Sequence, residues 1–354
     1  MQEKIPTVII IGAGLGGLTF YHALIKNKDK KEFYVKIFER ESGPQDRWQG
    51  YHIGINNYGA RSLINCIPSS IASNLPKATP NPIPNLEYHG FSLADHTGSL
   101  LLRPPTKQVK DIYEVANSNF SIIIAYRDRL RDVLLENVPV QWGKKCIGYE
   151  ETDYGVWVLF EDGSKEFCDI LVVRKQKLPE LQIFDYGITM IITDVAVPKN
   201  LLDRLIKLNG NGTFQETVGF NGDTTPECEM TNIVLELWDL VPKTTPDSKK
   251  YPFKTYNPVR RRKMRDIDPL SINTWTSSRV TLLGDAAHAT SPVLGIGANN
   301  AIEDAEVLSK ALLNYSPENY ISCIKEYENE MLKRNSADVL RSRSIALRQA
   351  SQEC

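Results

Sequence analysis

This chain of 354 residues lacks most of the patterns that assign chemistry quickly. Its six cysteines (Cys66, Cys146, Cys168, Cys228, Cys323 and Cys354) are scattered, with no CxxC pair. That spacing argues against a disulfide scaffold and fits reduced thiols in a cytoplasmic protein. The five histidines are equally dispersed and form no HxxxH pair, so no metal site is expected. Long apolar runs are missing too. The first, Thr7 to Ile11, is broken at once by Gly12. It is too short for a signal core, and no transmembrane segment is expected. A net charge of -1 provides no field for a polyanion, so no nucleic-acid partner is expected. The one dense basic run, Arg260-Arg261-Arg262-Lys263, reads as a solvated loop or helix face. Hydrophobic residues at 42% and charged residues at 24% make an ordinary globular mixture, long enough for one large domain or two.

The N-terminus carries a clearer signal. Thr7-Val8-Ile9-Ile10-Ile11 is a β-branched run suited to a strand buried on both faces. It runs straight into Gly12-Ala13-Gly14-Leu15-Gly16-Gly17-Leu18, and Leu18 to Lys26 then reads as an amphipathic helix. Tyr34 to Phe38 is a second strand, ending at Glu39 and Arg40. Gly12 permits a tight turn, Gly14 lets a pyrophosphate approach the backbone, and Gly17 lets the helix pack closely on the strand. Free N–H groups at the helix start bind phosphate oxygens. Glu39, about 20 residues beyond the turn, is placed to accept hydrogen bonds from a ribose diol. An acid at this point favours a free 2′-hydroxyl, as in FAD or NAD, over NADP.

A second strand–glycine loop–helix lies far downstream. Val280-Thr281-Leu282-Leu283 leads into Gly284-Asp285-Ala286-Ala287-His288. Pro292, then Gly295-Ile296-Gly297-Ala298-Asn299, precede a helical stretch from Ala301 to Leu313. A plain NAD-dependent dehydrogenase leaves this second loop unexplained. Between the two ends, Phe91 to Asp95 with Ser99 to Leu102 reads as a hairpin. Val156 to Phe160, followed across Glu161-Asp162-Gly163 by a strand to Val173, reads as another. Tyr186 to Ile192 and Asn232 to Trp238 are further strand candidates. A long charged helix is expected from Pro317 to about Gln349.

Together the two glycine loops and Glu39 resemble the FAD-dependent aromatic hydroxylases, the para-hydroxybenzoate hydroxylase-like flavin monooxygenases that include fungal biosynthetic enzymes. The likeness is strong at both ends and thin from Gln176 to Thr276. A third match is Arg127-Asp128-Arg129-Leu130-Arg131, opening a helix after Ile122-Ile123-Ile124. The resemblance implies an α/β fold: a Rossmann-like, glutathione-reductase-type FAD-binding domain with an inserted mixed β-sheet substrate domain and a long C-terminal helix. Residues 1–75, 105–175 and 270–354 would form the FAD-binding domain, and 76–104 with 176–269 the substrate region. It further implies that Gly12, Gly14, Gly16, Gly17, Glu39, Arg40, Arg127, Asp285, Pro292, Gly295, Gly297, Ala298 and Asn299 hold FAD. Arg127 would touch the FAD, and a helix-face charge is the alternative. Asp285 would bond the ribityl or pyrophosphate region. The Gly295 to Asn299 loop would offer helix N-terminal N–H groups to the flavin ring, whose reduced form is an anion. Arg47 and Tyr51 lie where family members line the flavin or substrate side. His288 reads as packing the loop, with a base as the alternative, and no catalytic side chain is named.

The implied activity is that of a monooxygenase using NAD(P)H and O2 to hydroxylate or epoxidise a small hydrophobic or aromatic metabolite, in secondary metabolism. One departure bears on it. Relatives follow a strand like Asp169-Ile170-Leu171-Val172 with a Gly-Ala-Asp-Gly loop that touches the pyrophosphate and the path of NAD(P)H. Here Val173 passes directly to Arg174-Lys175-Gln176-Lys177, and the stretch from Asn221 to Ser277 is also short. This implies weakened pyridine-nucleotide coupling or a truncated gene product. The second reading is therefore an FAD-binding remnant without redox turnover, serving as a template or partner subunit.

Overall fold

A computed structural model describes residues 5–46, 51–79, 91–95, 100–102, 109–119, 121–173, 180–192, 198–201, 203–204, 214–218, 260–272 and 275–351. The chain divides into two units. One comprises Met1–Pro84, Val109–Phe184 and Asp266–Arg343, the other Asn85–Gln108, Asp185–Arg265 and Ser344–Cys354. The first elements in chain order are β1 (Thr7–Ile11), α1 (Leu15–Lys26), β2 (Tyr34–Phe38), β3 (His52–Asn56), α2 (Asn57–Cys66) and α3 (Ser69–Ala72). Next come β4 (Phe91–Asp95), β5 (Leu100–Leu102), α4 (Ile112–Ala116), β6 (Ile122–Tyr126), α5 (Arg127–Leu135) and β7 (Val140–Gln141). They are followed by β8 (Cys146–Thr152), β9 (Gly155–Phe160), β10 (Lys165–Cys168), β11 (Ile170–Val173), β12 (Ile183–Ile192), β13 (Phe214–Val218) and β14 (Arg260–Ile267). The last are β15 (Val280–Leu282), α6 (Asp285–His288), α7 (Gly297–Leu312) and α8 (Tyr320–Ser351).

The larger unit is built on a five-stranded sheet of order β15-β11-β1-β2-β7. Its pairings are all parallel. Val8, Ile9 and Ile10 are at most 1% exposed, and every residue of β11 is buried. Such unbroken apolar runs belong to strands covered on both faces. Parallel strands place their carboxyl ends on one edge. Gly12, Glu39, Val173 and Gly284 therefore leave the sheet together, and Val173 ends between the two glycine turns.

Several expected boundaries shift for physical reasons. α1 starts at Leu15, not Leu18, because the Gly14 carbonyl already accepts a bond from Leu18 N at 2.9 Å. α7 likewise starts at Gly297 rather than Ala301. The strand expected to run on to Val173 is two strands. β10 pairs antiparallel with β9 in a sheet with β8, while β11 joins the parallel sheet. The switch falls at Asp169, whose N–H donates to Thr7 O at 2.9 Å and whose Oδ2 accepts from Thr7 N at 2.7 Å.

In the smaller unit β4 and β5 form an antiparallel pair with an irregularity at Leu93/Ala94, and β13 adds parallel to β4. β12 and β14 form a second, two-stranded sheet. The basic run at Arg260 is thus a strand, not the loop or helix face expected. Lys263 and Arg265 both approach Asp185 of β12, at 3.8 and 3.0 Å, so cross-strand charge pairing accounts for part of the run. The strand candidate Asn232 to Trp238 lies outside the described residues. Among the described residues, no helix is long and apolar enough to cross a membrane.

The second glycine turn is tied to α7 and α8 through one carboxylate. Asp304, 0% exposed, accepts from Gly284 N (2.8 Å) and His288 Nε2 (2.6 Å) on one oxygen. Its other oxygen accepts from Arg334 Nη2 (2.8 Å) and Asn335 Nδ2 (3.2 Å). All four acceptor positions of a carboxylate are thereby used. Burial opposes its charge, yet His288, Arg334 and the Gly284 N–H outweigh that and bring its pKa from 3.8 down to about 2. Replacing it with Asp304→Asn removes a buried carboxylate from His288 and from Arg334, which keeps Glu303 and Glu330 as partners, and should cost about 1–3 kcal/mol at pH 7 in urea unfolding. A depressed folded-state pKa makes this contribution full above the ordinary value of 3.8, and it fades as pH falls toward about 2. The gap between wild type and variant should therefore narrow below pH 4, and a gap that holds constant down to pH 2 would contradict the assignment.

Candidate cofactor site

The site is assembled from close backbone approaches. At Gly17 a Cβ would collide with the Gly12 carbonyl and lie 3.3 Å from Ile10 Cγ2. Gly17 is therefore a packing glycine, seating α1 on β1. Gly16 packs in another direction. Its Cβ would come 2.5 Å from Leu283 Cδ2 and 3.1 Å from the Ala301 carbonyl. A Cβ on Gly284 would lie 2.9 Å from the same Ala301. The first glycine turn, the second glycine turn and α7 thus meet around Ala301.

Gly12, Gly14 and Gly295 behave differently, since a Cβ on any of them would meet no protein atom within 4 Å. Gly12 and Gly295 have φ of +117° and +62°, where glycine is favoured. Gly14 has φ -86° and needs no glycine on conformational grounds. Neither its conformation nor packing against protein atoms within 4 Å requires glycine there. Asp285 is exposed at the start of α6, and its Oδ1 lies 3.9 Å from where a Gly297 Cβ would stand. Gly297 opens α7, whose N-terminus carries no side-chain cap. Its free N–H groups and the helix dipole favour a negative charge there. Pro292 begins the short 3-10 turn that ends at Gly295.

Glu39 stands at the end of β2, half-buried. Its Oε2 accepts from Ala13 N at 2.9 Å and its Oε1 from Glu41 N at 3.2 Å. Two acceptor positions are left over, enough for a diol. Arg40 beside it is exposed. Arg127 donates its backbone N–H to Tyr51 O at 3.2 Å, and its guanidinium stands 5.6 Å from the Tyr51 ring. Those two candidates are therefore neighbours, whereas Arg47 lies outside the described residues.

The Asn299 side chain is engaged within the protein. It is 1% exposed, and its amide donates to Gly54 O (2.8 Å) and Gly295 O (3.2 Å) while accepting from Asn56 N (3.1 Å). It staples β3 and the Gly295 turn to α7. Next to it, Tyr58 donates to Asn300 Oδ1 at 2.9 Å, and Asn300 donates to Asp338 at 3.0 Å. Burial is the main reason the Tyr58 hydroxyl is pushed up to about 12, so it stays a neutral donor. His288 is bonded to Asp304 and 1% exposed, which makes it a support of the loop rather than a base facing substrate.

A parallel sheet, two glycine turns at its carboxyl edge and an uncapped helix start beside them fit a dinucleotide. A family model described as an FAD binding domain matches residues 251–342. The FAD-dependent monooxygenase thnD of Trichoderma harzianum is 27% identical over 95% of this chain and 92% of its own length. The 6-hydroxynicotinate 3-monooxygenase of Pseudomonas fluorescens is 24% identical over 95% and 90%. The chain is similar to FAD-dependent monooxygenases over nearly its whole length. Among solved structures, HpxO of Klebsiella pneumoniae with FAD and uric acid has the same fold, with a TM-score of 0.69, 19% identity and coverage of 100% of this chain and 90% of that one. FAD is the cofactor of this flavoprotein. The alignment to thnD runs over 397 positions, more than the 354 residues here, so the relative carries segments that this chain lacks.

Gly14→Val separates ligand from fold. Its Cβ would meet no protein atom within 4 Å, so the melting temperature of the FAD-free protein should stay within about 2 °C, as for a surface change of about 0.5 kcal/mol. FAD binding, followed by absorbance near the flavin band, should be lost. Unchanged FAD retention would remove the first turn from the site.

Proposed function

We propose that this flavoprotein uses NAD(P)H and O2 to hydroxylate or epoxidise a small hydrophobic or aromatic metabolite. Three observations meet at one sheet edge and support the reading: the bare Gly14 backbone, the Asp285 carboxylate beside Gly297, and the uncapped start of α7. Bound FAD supplies the redox chemistry, taking two electrons from NAD(P)H and allowing one atom of O2 to enter the substrate while the other leaves as water. The residues bind and orient. Gly12 and Gly14 give the pyrophosphate access to the backbone, and Glu39 accepts from the ribose. Asp285 bonds the ribityl or pyrophosphate region, and the Gly295 to Ala298 turn places N–H donors where the reduced ring carries charge. Arg127 and Tyr51 lie on the flavin or substrate side. The smaller unit is assigned to substrate recognition. Relatives acting on 6-hydroxynicotinate and 6-methylsalicylate support an aromatic substrate, and a place in secondary metabolism follows from the fungal ones.

A second reading has one observation behind it. Val173 ends between the two glycine turns, and the six residues that follow, Arg174 to Pro179, include neither glycine nor aspartate. The chain then binds FAD without efficient reduction by a pyridine nucleotide. Anaerobic mixing of FAD-loaded protein with NADH or NADPH distinguishes the two. Bleaching of the flavin band within seconds by either nucleotide supports the monooxygenase. Bleaching by dithionite alone supports the remnant.

A further inference from the structure

We infer that Arg131 is a positioning residue for the first glycine turn, and that through it the chain prefers FAD to flavins lacking the pyrophosphate. The inference rests on the FAD reading of the site. Ala13 is fully buried between Gly12 and Gly14. Its N–H donates to Glu39 Oε2 at 2.9 Å, and its carbonyl accepts from Arg131 Nε at 2.8 Å. Arg131 reaches this carbonyl from α5, 6% exposed, with its guanidinium 5.6 Å from the Trp142 ring. Its Nη2 bonds Glu41 Oε2 at 2.8 Å, and Glu41 N in turn donates to the Glu39 carboxylate at 3.2 Å. The contacts close a ring: Ala13, Glu39, Glu41, Arg131 and back to Ala13.

The consequence follows from peptide geometry. The Ala13 carbonyl and the Gly14 N–H belong to one planar trans unit, so they point in opposite directions. Drawing the carbonyl onto Arg131 turns the Gly14 N–H the other way. With glycine on either side of Ala13, the turn has little torsional resistance of its own, and the orientation has to come from outside. A charged, planar donor that spans two acceptors supplies it. Arg131 acts on the pyrophosphate side of the site. The ring side is served by the Gly295 turn, which Arg131 does not touch.

The test is a pair of fluorescence titrations, FAD and riboflavin, on wild type, Arg131→Met and Arg131→Lys. Arg131→Met should raise the Kd for FAD about tenfold or more, the scale of a lost charge-assisted bond, and move that for riboflavin less than about twofold. Arg131→Lys, which keeps the charge but cannot span both acceptors, should fall between on FAD. An unchanged FAD Kd overturns the inference, as does an equal loss for both flavins, which a general structural role would give. If Arg131→Met does not fold, Arg131→Lys is read by the same criterion. Wild type that binds no FAD overturns the cofactor reading and the inference with it. Wild type that binds FAD beside unaffected variants overturns the inference alone.

Discussion

Ala301 is the point on which the site depends. A methyl group there, facing glycines at 16 and 284, lets α1 and both glycine turns approach α7 until backbone and small side chains touch. Any larger group at these three positions would separate the turns. Packed interiors do not absorb such additions without backbone shifts. The close approach puts two turns remote from each other in sequence at one edge of the parallel sheet. One dinucleotide can then be held at both ends by backbone groups that need little rearrangement to receive it.

The polar framework behind this contact is as specific as the contact itself. Asp304 holds the Gly284 N–H from below while Arg334 and Asn335 anchor it to α8. α8 also fixes β15 directly, since the buried Tyr327 donates to Leu282 O at 2.8 Å. The long C-terminal helix therefore supports the strand and the turn that carry Asp285. The exit of β11 lies in the same region. There the structure places Val173 between the turns, and the following sequence lacks a glycine–aspartate loop.

Both glycine turns, Glu39 and the order of strands and helices were legible because they are local: glycine, β-branched runs and helical spacing lie within a few residues of each other. Asn299 was legible as part of the loop but not as a staple, since its partners Gly54 and Asn56 lie 245 and 243 positions away. Arg131 stood out only as the last residue of the Arg127 to Arg131 motif, because nothing near it announces a carbonyl 118 positions earlier. The same holds for Asp304, whose role emerges only when α8 folds back across α7. Gly17 was legible as a packing glycine, whereas the contacts of Gly16 with Leu283 and Ala301 were not, since those partners lie far along the chain. The basic run at Arg260 misled because charge suggested a solvated loop or helix, while a partner at Asp185 makes it a strand.

The two glycine turns and the start of α7 are proposed to form one FAD site. Amide hydrogen exchange with and without FAD measures this directly. It should show slower exchange on FAD addition in three separate segments at once: residues 12–18, 284–288 and 295–299. Protection confined to residues 12–18, with the two downstream segments unchanged, would contradict it.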